Sequence, residues 1–359
     1  MFILANNYSL VKFMRLNILN LFLTIPFLLF LSGCGQGTVI MFENENSYPT
    51  PAKGESAPSG NSVYSANSVN PVNSSILFVG DLMFDRHIRQ AAEKQGNDFI
   101  LEKIKELLSE NDFVVANLEG PITDNRSVSV GSKMETKNNF IFTFDPTLTK
   151  TLAEHRIKIV NLGNNHIFNF GVAGVSQTKK YLAEAGIEYF GDVGANDSTI
   201  LTKEKDGLKL VFINYNYAAA SSRERTLEAL REAEKPDSVS IVCPHWGEEY
   251  RTGDPGPAVR RLAHEFVEAG ADLVIGTHPH VVQDSEEYQG KKIYYSLGNF
   301  VFDQYFSPET QKGLAVRVSV NPKDRTMEFQ EISLRMQKNC QTIKAANNWS
   351  ILIFLRIWE

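Results

Sequence analysis

Six short apolar runs in this chain each end on residues that can bind a metal or move a proton. Residues 76–79 end in Gly80-Asp81, residues 113–115 lead into Asn117-Leu118-Glu119, and residues 157–160 lead into Asn161-Leu162-Gly163-Asn164-Asn165-His166. Residues 239–242 end in Pro244-His245-Trp246-Gly247, residues 273–275 in Gly276-Thr277-His278-Pro279-His280, and residues 293–295 in Ser296-Leu297-Gly298-Asn299-Phe300. Runs of this length bounded by turn residues read as buried strands. If they are neighbouring strands of one sheet, their C-terminal ends gather four histidines, an Asp, a Glu and several asparagines into one cleft. That is the composition of a hydrolytic metal centre.

Between the strand-like runs lie helix-like ones, the alternation of an α/β layered domain. Ile100, Ile104, Leu107 and Leu108 recur at helical spacing among charged residues. Further helices are expected near 147–155, over 175–185 ending at Gly186, and over 258–269 ending at Gly270, each glycine placed as a C-cap. After residue 299 the pattern turns to alternating strands: Leu314, Val316 and Val318 alternate with Ala315, Arg317 and Ser319, and residues 321–325 form a turn into 327–334. This hairpin is expected to finish a second sheet.

The two ends of the chain differ from its middle. Lys12 and Arg15 precede an uncharged run over 16–31, and no acidic residue appears before Glu43, the layout of an export signal. Its apolar part, 21–31 with Pro26 inside, is about half the ~20 residues that span a bilayer. It closes on Leu31-Ser32-Gly33-Cys34, which resembles the bacterial lipoprotein signal, where the cysteine is lipidated and becomes the new N-terminus. A short anchor with an incidental cysteine is the other reading, and Met14 offers a second start. Residues 35–75 are rich in Asn, Ser, Pro and Gly, too poor in apolar surface to offset their ordering entropy. As a coil they reach about 35 Å and serve as a tether.

The expected division is therefore a signal over 1–34, a tether over 35–75, a folded domain over 76–337 and a tail over 338–359. In that tail residues 349–358 carry only Arg356 as a charge, which fits a packed terminal element or a non-native end. The expected location is outside the cytoplasm, lipid-anchored to the membrane. Cys243 lies in an apolar run and is expected to be a buried free thiol. With 36 basic against 42 acidic residues the net charge is -6, so no surface for nucleic acid is expected.

Strand ends hold ligands on a rigid frame. In an extended segment alternation would put His278 and His280 on one side, about 7 Å apart, with Pro279 stiffening the backbone between them. His245 follows an apolar strand. Asn165 offers a neutral oxygen, and the adjacent His166 can serve as an acid. Glu119 has two oxygens with which to bridge two metals, and Asp81 is a hard oxygen ligand. Arg86, close after the first strand, and Glu248, after His245, are candidates to contact substrate.

Six motifs occur in order: Gly80-Asp81-x-Met83, Asn117-Leu118-Glu119-Gly120-Pro121-Ile122-Thr123, Asn164-Asn165-His166, His245-Trp246-Gly247-Glu248-Glu249-Tyr250, His278-Pro279-His280, and Ser296-Leu297-Gly298-Asn299-Phe300-Val301-Phe302-Asp303. Together, over residues 76–320, they resemble the CapA family of capsule (poly-γ-glutamate) synthesis proteins, whose fold resembles the calcineurin-like metallophosphoesterases. The resemblance implies a four-layer α/β/β/α sandwich with two central mixed sheets and a metal cleft at the strand ends. By motif, Asp81 and His280 would serve one metal and Asn165, His245 and His278 another, with Glu119 bridging and His166 as general acid. One or two divalent ions are implied, with Mn, Zn and Fe fitting equally.

The chain departs from that pattern where phosphoesterases carry Asp-x-His. Here the motif is Asp81-Leu82-Met83, and a thioether is a poor ligand for such ions. Two functions follow from the resemblance. One is a surface-tethered, metal-dependent hydrolase acting on a phosphoester or an amide-linked anionic capsule polymer. The other is a non-catalytic factor that holds or exports that polymer, within a capsule-synthesis membrane complex.

Overall fold

The computed structural model describes residues 73–191, 200–233 and 236–345 and the backbone of 352–355. The candidate lipidation site Cys34, the signal and the tether up to residue 72 lie outside these residues. No helix among the described residues is long and apolar enough to cross a membrane.

The first strands are β1 (Ser74–Leu82), β2 (Phe113–Leu118), β3 (Ile159–Asn161) and β4 (Glu188–Phe190), all parallel neighbours. A second sheet contains β5 (Ile200–Lys205), β6 (Leu208–Asn216), β7 (Ser238–His245), β8 (Leu273–Ile275), β9 (Ser285–Tyr288) and β10 (Lys291–Tyr294), in the order β5-β6-β7-β8-β10-β9. The chain then returns to the first sheet with β11 (Asn299–Val301), β12 (Lys312–Val320), β13 (Met327–Met336), β14 (Thr342–Lys344) and β15 (Leu352–Leu355). Both sheets are mixed: β12 runs antiparallel to β1, and β5 and β9 run antiparallel at the edges of the second sheet.

The layers follow from strand alternation. Ile76, Phe78, Val115 and Ile159 of the first sheet meet Leu210, Phe212, Ile241 and Ile275 of the second. The intervening residues Leu77, Val79, Val114 and Val160 face outward onto Ile88, Leu101, Leu107, Leu152 and Val175. These come from α1 (Arg86–Gln95), α2 (Asp98–Leu101), α3 (Lys105–Ser109), α4 (Leu148–Glu154) and α5 (Gly171–Glu184). On the other side Ile213, Val242, Val274 and Ile293 pack against Leu227, Leu230 and Phe266 from α6 (Ser222–Ala233) and α7 (Pro257–Glu268). Because both faces of each sheet are covered, the central strands read as continuous apolar runs rather than alternating ones. The four-layer α/β/β/α sandwich with two mixed sheets is therefore present.

Several expectations change. The six apolar runs do not share one sheet: β1, β2 and β3 belong to the first, and β7, β8 and β10 to the second. The late hairpin β12–β13 extends the first sheet beside β1 rather than finishing the second, because Val316, Val318, Met327 and Phe329 complete the layer between the sheets. The helical segment over 100–108 is broken into α2, a 3-10 turn (Glu102–Ile104) and α3. The expected helix over 175–185 begins earlier, at Gly171, and Gly186 and Gly270 both adopt positive φ just past their helices.

The folded region also runs past residue 337. Strand β14 pairs with β13, and Gln341 donates to the carbonyl of Phe99 at 2.9 Å. Cys340, in the stretch expected to be a tail, is buried, and Cys243 and Cys340 are both free thiols. The backbone of Leu352–Leu355 pairs antiparallel with Met327–Gln330.

Candidate metal centre

Parallel connections bring the C-terminal ends of β1, β2, β3, β7 and β8 to one edge of the sandwich, where open α/β sheets present their sites. At Gly80 the register between β1 and β2 shifts, and Asp81 N donates to the carbonyl of Gly298 at 3.1 Å. A Cβ on Gly80 would overlap that carbonyl, so only glycine allows the close approach. The bulge delivers Asp81 into the cleft, fully buried.

The two histidines after β8 arrive by a route that alternation does not describe. Thr277 bridges His245 in parallel register, and then His278 and His280 adopt φ of 99° and 58°. Such conformations cost a non-glycine residue about 1–3 kcal/mol. The segment is thus a bend and not an extended strand, and its ring centroids lie 6.0 Å apart. Tyr250, also left-handed at φ 63°, donates its backbone N–H to the carbonyl of Pro279 at 2.8 Å and ties the two loops together.

Around this edge the ligand atoms converge on Glu119. Its Oε1 lies 3.6 Å from Nε2 of His280 and 3.9 Å from Nε2 of both His245 and His166. One ligand atom each from Glu119, His278 and His280 falls within 4.8 Å of the others. His245 Nε2 is 2.9 Å from Asn165 Oδ1, and its Nδ1 is 3.1 Å from Thr277 Oγ1. Asp81 accepts from Asn117 Nδ2 at 2.8 Å and from the backbone N–H of His278 at 3.3 Å, and its Oδ2 is 3.2 Å from His280 Nδ1.

The electrostatics suit a cation. Both oxygens of Glu119 and Nδ1 of His278 are buried with no hydrogen-bond partner among the described residues. Burial, reinforced by the charge of Asp81, pushes the Glu119 carboxyl well above the usual range. Burial likewise pulls the His278 imidazole down to about 3 and holds His245 well below its ordinary value, so both are neutral at pH 7. A buried carboxylate beside neutral imidazoles is costly alone and well suited to a divalent ion. The residues present fit such a group.

Residues 75–304 match the family described as "Bacterial capsule synthesis protein PGA_cap". The chain belongs to that family. It is 31% identical over 253 residues to the "PGA biosynthesis protein CapA" of Bacillus subtilis (strain 168), covering 64% of this chain and 63% of that protein. It is 30% identical over 252 residues to the "Capsule biosynthesis protein CapA" of Bacillus anthracis, covering 64% and 60%. A third relative, the "Probable polyglutamine synthesis accessory protein Rv0574c" of Mycobacterium tuberculosis (strain ATCC 25618 / H37Rv), is 26% identical over 223 residues, covering 54% and 56%. The match thus spans about three-fifths of the length of the first two relatives.

Within this PGA_cap domain the remaining sequence candidates separate. His166 sits beside the cleft with Phe142 at 4.4 Å between ring centroids, and burial lowers its pKa to about 4. Its Nδ1 is 3.2 Å from Asn169 Oδ1, which favours the tautomer protonated at Nδ1 and leaves a lone pair on Nε2. In that state it accepts a proton before it can give one.

Arg86 lies over the rings of Phe142 and Phe302 at 5.2 and 5.3 Å and is ion-paired with Asp303. Phe302 in turn packs on His280 at 4.7 Å. Arg86 therefore stands behind the rings that hold two cleft imidazoles, and it also lines a cavity of about 680 Å³ with Asn139, Phe140, Tyr250, Asp303 and Phe306. Glu248, by contrast, is exposed and its recorded partner is Arg251 at 3.7 Å. Burial first, and then the charge of its neighbour Glu249 among others, raises Glu119, Tyr217 and Tyr250.

Sequence reasoning missed the residues that orient the ligands. Asn117 joins Asp81, His245 (Nδ1 at 3.3 Å) and Asn164 (at 3.2 Å) into one buried network. Asn299 Oδ1 meets His280 Nδ1 at 3.1 Å, and Tyr217 packs on His278 at 4.6 Å. Asn117 and Asn299 stood inside quoted motifs, a signal that carried no role. Asn169 and Tyr217 had none.

Proposed function

We propose that this PGA_cap protein acts in the synthesis or surface attachment of an anionic capsule polymer of the poly-γ-glutamate class. In this reading it holds a divalent ion in the cleft and hydrolyses an amide-linked or phosphoester substrate there. The observation that carries it is the buried, unpartnered pair Glu119 and His278 in a domain of this family. Glu119, His278 and His280 would hold the ion, with His245 and Asn165 beside them. When bound, it would polarise a substrate oxygen and make water a better nucleophile at neutral pH.

The chain's own groups supply the rest. His166 takes up a proton at Nε2 and, once charged, is placed to return it to a leaving group. The rings of Phe142 and Phe302 fix His166 and His280. The cavity past Tyr250 gives the non-reacting part of the substrate a place to lie.

Metal analysis and turnover test this. The purified chain should retain ion, and hydrolysis of a generic phosphoester or a γ-glutamyl oligomer should fall in His166→Ala and His245→Ala variants. Equal residual activity in both variants would assign the turnover to a contaminant. Met83 favours a second reading, a polymer-holding assembly factor, because it stands where the phosphoesterase motif has a ligating histidine. Polymer retained by an ion-loaded but inactive chain would favour that reading. The location proposed with either function is extracytoplasmic, with anchoring through Cys34. Membrane association that survives Cys34→Ala would refute the anchor.

A further inference from the structure

We propose that the cleft takes one divalent ion, and that Asp81 positions the ligands of that ion without touching it. This rests on the metal reading above and narrows it.

A second ion would need its own set of hard donors at the end of β1, and the groups there are already committed. Met83 is fully buried, and its sulfur accepts the backbone N–H of Asp85 at 3.0 Å. A thioether so placed offers nothing to a hard or borderline cation. Asp81 is committed as well. Its Oδ1 accepts from Asn117 Nδ2 at 2.8 Å, while its Oδ2 accepts from the His278 N–H at 3.3 Å and faces His280 Nδ1 at 3.2 Å.

Each of those three contacts serves a residue of the other set. Asn117 steadies His245, the N–H belongs to His278, and His280 is turned by Asp81 together with Asn299 so that Nε2 faces Glu119. A carboxylate that fixes the tautomer and angle of a ligating histidine is the usual outer partner of a metal site. The donors left without any partner are both Glu119 oxygens and Nδ1 of His278. Glu119, His278 and His280 each bring one ligand atom within 4.8 Å of the others and so make a single focus, and His245 Nε2 and Asn165 Oδ1 stand 2.9 Å apart on its flank, near enough to close on the same ion. The arrangement has one centre with an orienting carboxylate behind it.

Titration of the full-length chain with Mn²⁺ tests this, by calorimetry, elemental analysis and electron paramagnetic resonance. One Mn²⁺ per chain with a six-line mononuclear spectrum is expected. Asp81→Asn should keep that 1:1 stoichiometry with affinity weakened roughly 10- to 100-fold, the range for loss of an outer partner, whereas Glu119→Gln and His278→Ala should abolish binding. Two Mn²⁺ per wild-type chain, or a spin-coupled spectrum, would overturn the proposal even if no variant folds. So would Asp81→Asn losing the ion as completely as Glu119→Gln. A wild-type chain that takes up no ion at all would instead sink the underlying metal reading.

Discussion

Glu119 Oε1 lies 3.6 Å from His280 Nε2, and neither oxygen of that fully buried carboxylate accepts a hydrogen bond from the described residues. In the ion-free chain an unpartnered buried charge costs at least about 1–3 kcal/mol. Glu119→Gln should therefore stabilise the chelator-treated protein at pH 7.5 by about 1–2 kcal/mol, while removing any stabilisation by added metal. Denaturant unfolding with and without chelator reads both signs. A variant less stable than wild type in chelator would contradict this account of Glu119.

The same groups set opposing pH limbs. The Glu119 carboxyl is raised above its ordinary 4.5, so its contribution is present below that pH and is lost as pH rises through the shifted value. His166 and His278 are lowered from 6.5 to about 4 and about 3, so theirs is present above 6.5 and is lost as pH falls toward those values. Ion-free unfolding free energies across pH 4–8 should show a declining alkaline limb that flattens in Glu119→Gln. The acid limb should persist in that variant.

Metal uptake should release a proton from Glu119 and not from His245 or His278. Burial holds those two imidazoles below their ordinary value, whereas the raised carboxyl must ionise to bind. Calorimetry in buffers of different ionisation enthalpy is expected to show proton release that grows toward about one per ion as pH falls. Release of two or more would assign protonated histidines to the free site.

Gly80 should tolerate no side chain. A Cβ there would overlap the carbonyl of Gly298, backbone that cannot step aside without opening the β1 edge. Gly80→Ala is expected to cost about 2–4 kcal/mol, lowering the melting temperature and weakening metal binding together. Unchanged melting would show that the close approach is not required.

Asp303 holds Arg86 through an ion pair and also accepts the backbone N–H of His87 at 3.1 Å. Asp303→Ala leaves a nearly buried guanidinium without its carboxylate, held by Asn139 at 3.1 Å and the rings of Phe142 and Phe302, which should cost about 3–5 kcal/mol. Thermal melts of Asp303→Ala against Asp303→Asn separate charge from hydrogen bonding, with the Asn variant intermediate.

Much of this was legible because strand ends carry their signal locally. The apolar runs, the glycines after α5 and α7 and the His-x-His segment are all patterns within a few residues. The assignment of β12–β13 to the first sheet was not legible, since a hairpin that alternates apolar and polar residues fits the edge of either sheet. The approach of His278 and His280 was also misread. Alternation assumes extended backbone, and both residues are left-handed.

Which residues could hold an ion was readable from the residues alone, because that depends on side-chain chemistry and on strands that end in Gly, Asn, Asp and His. Which of those atoms are free to do so came from the packing of distant segments. Asp81 became an acceptor for Asn117 and His278, and Glu119 was left without a donor. Hydrogen-bond partnership inside a buried cleft is set by chain segments up to nearly two hundred residues apart, and no local pattern encodes it.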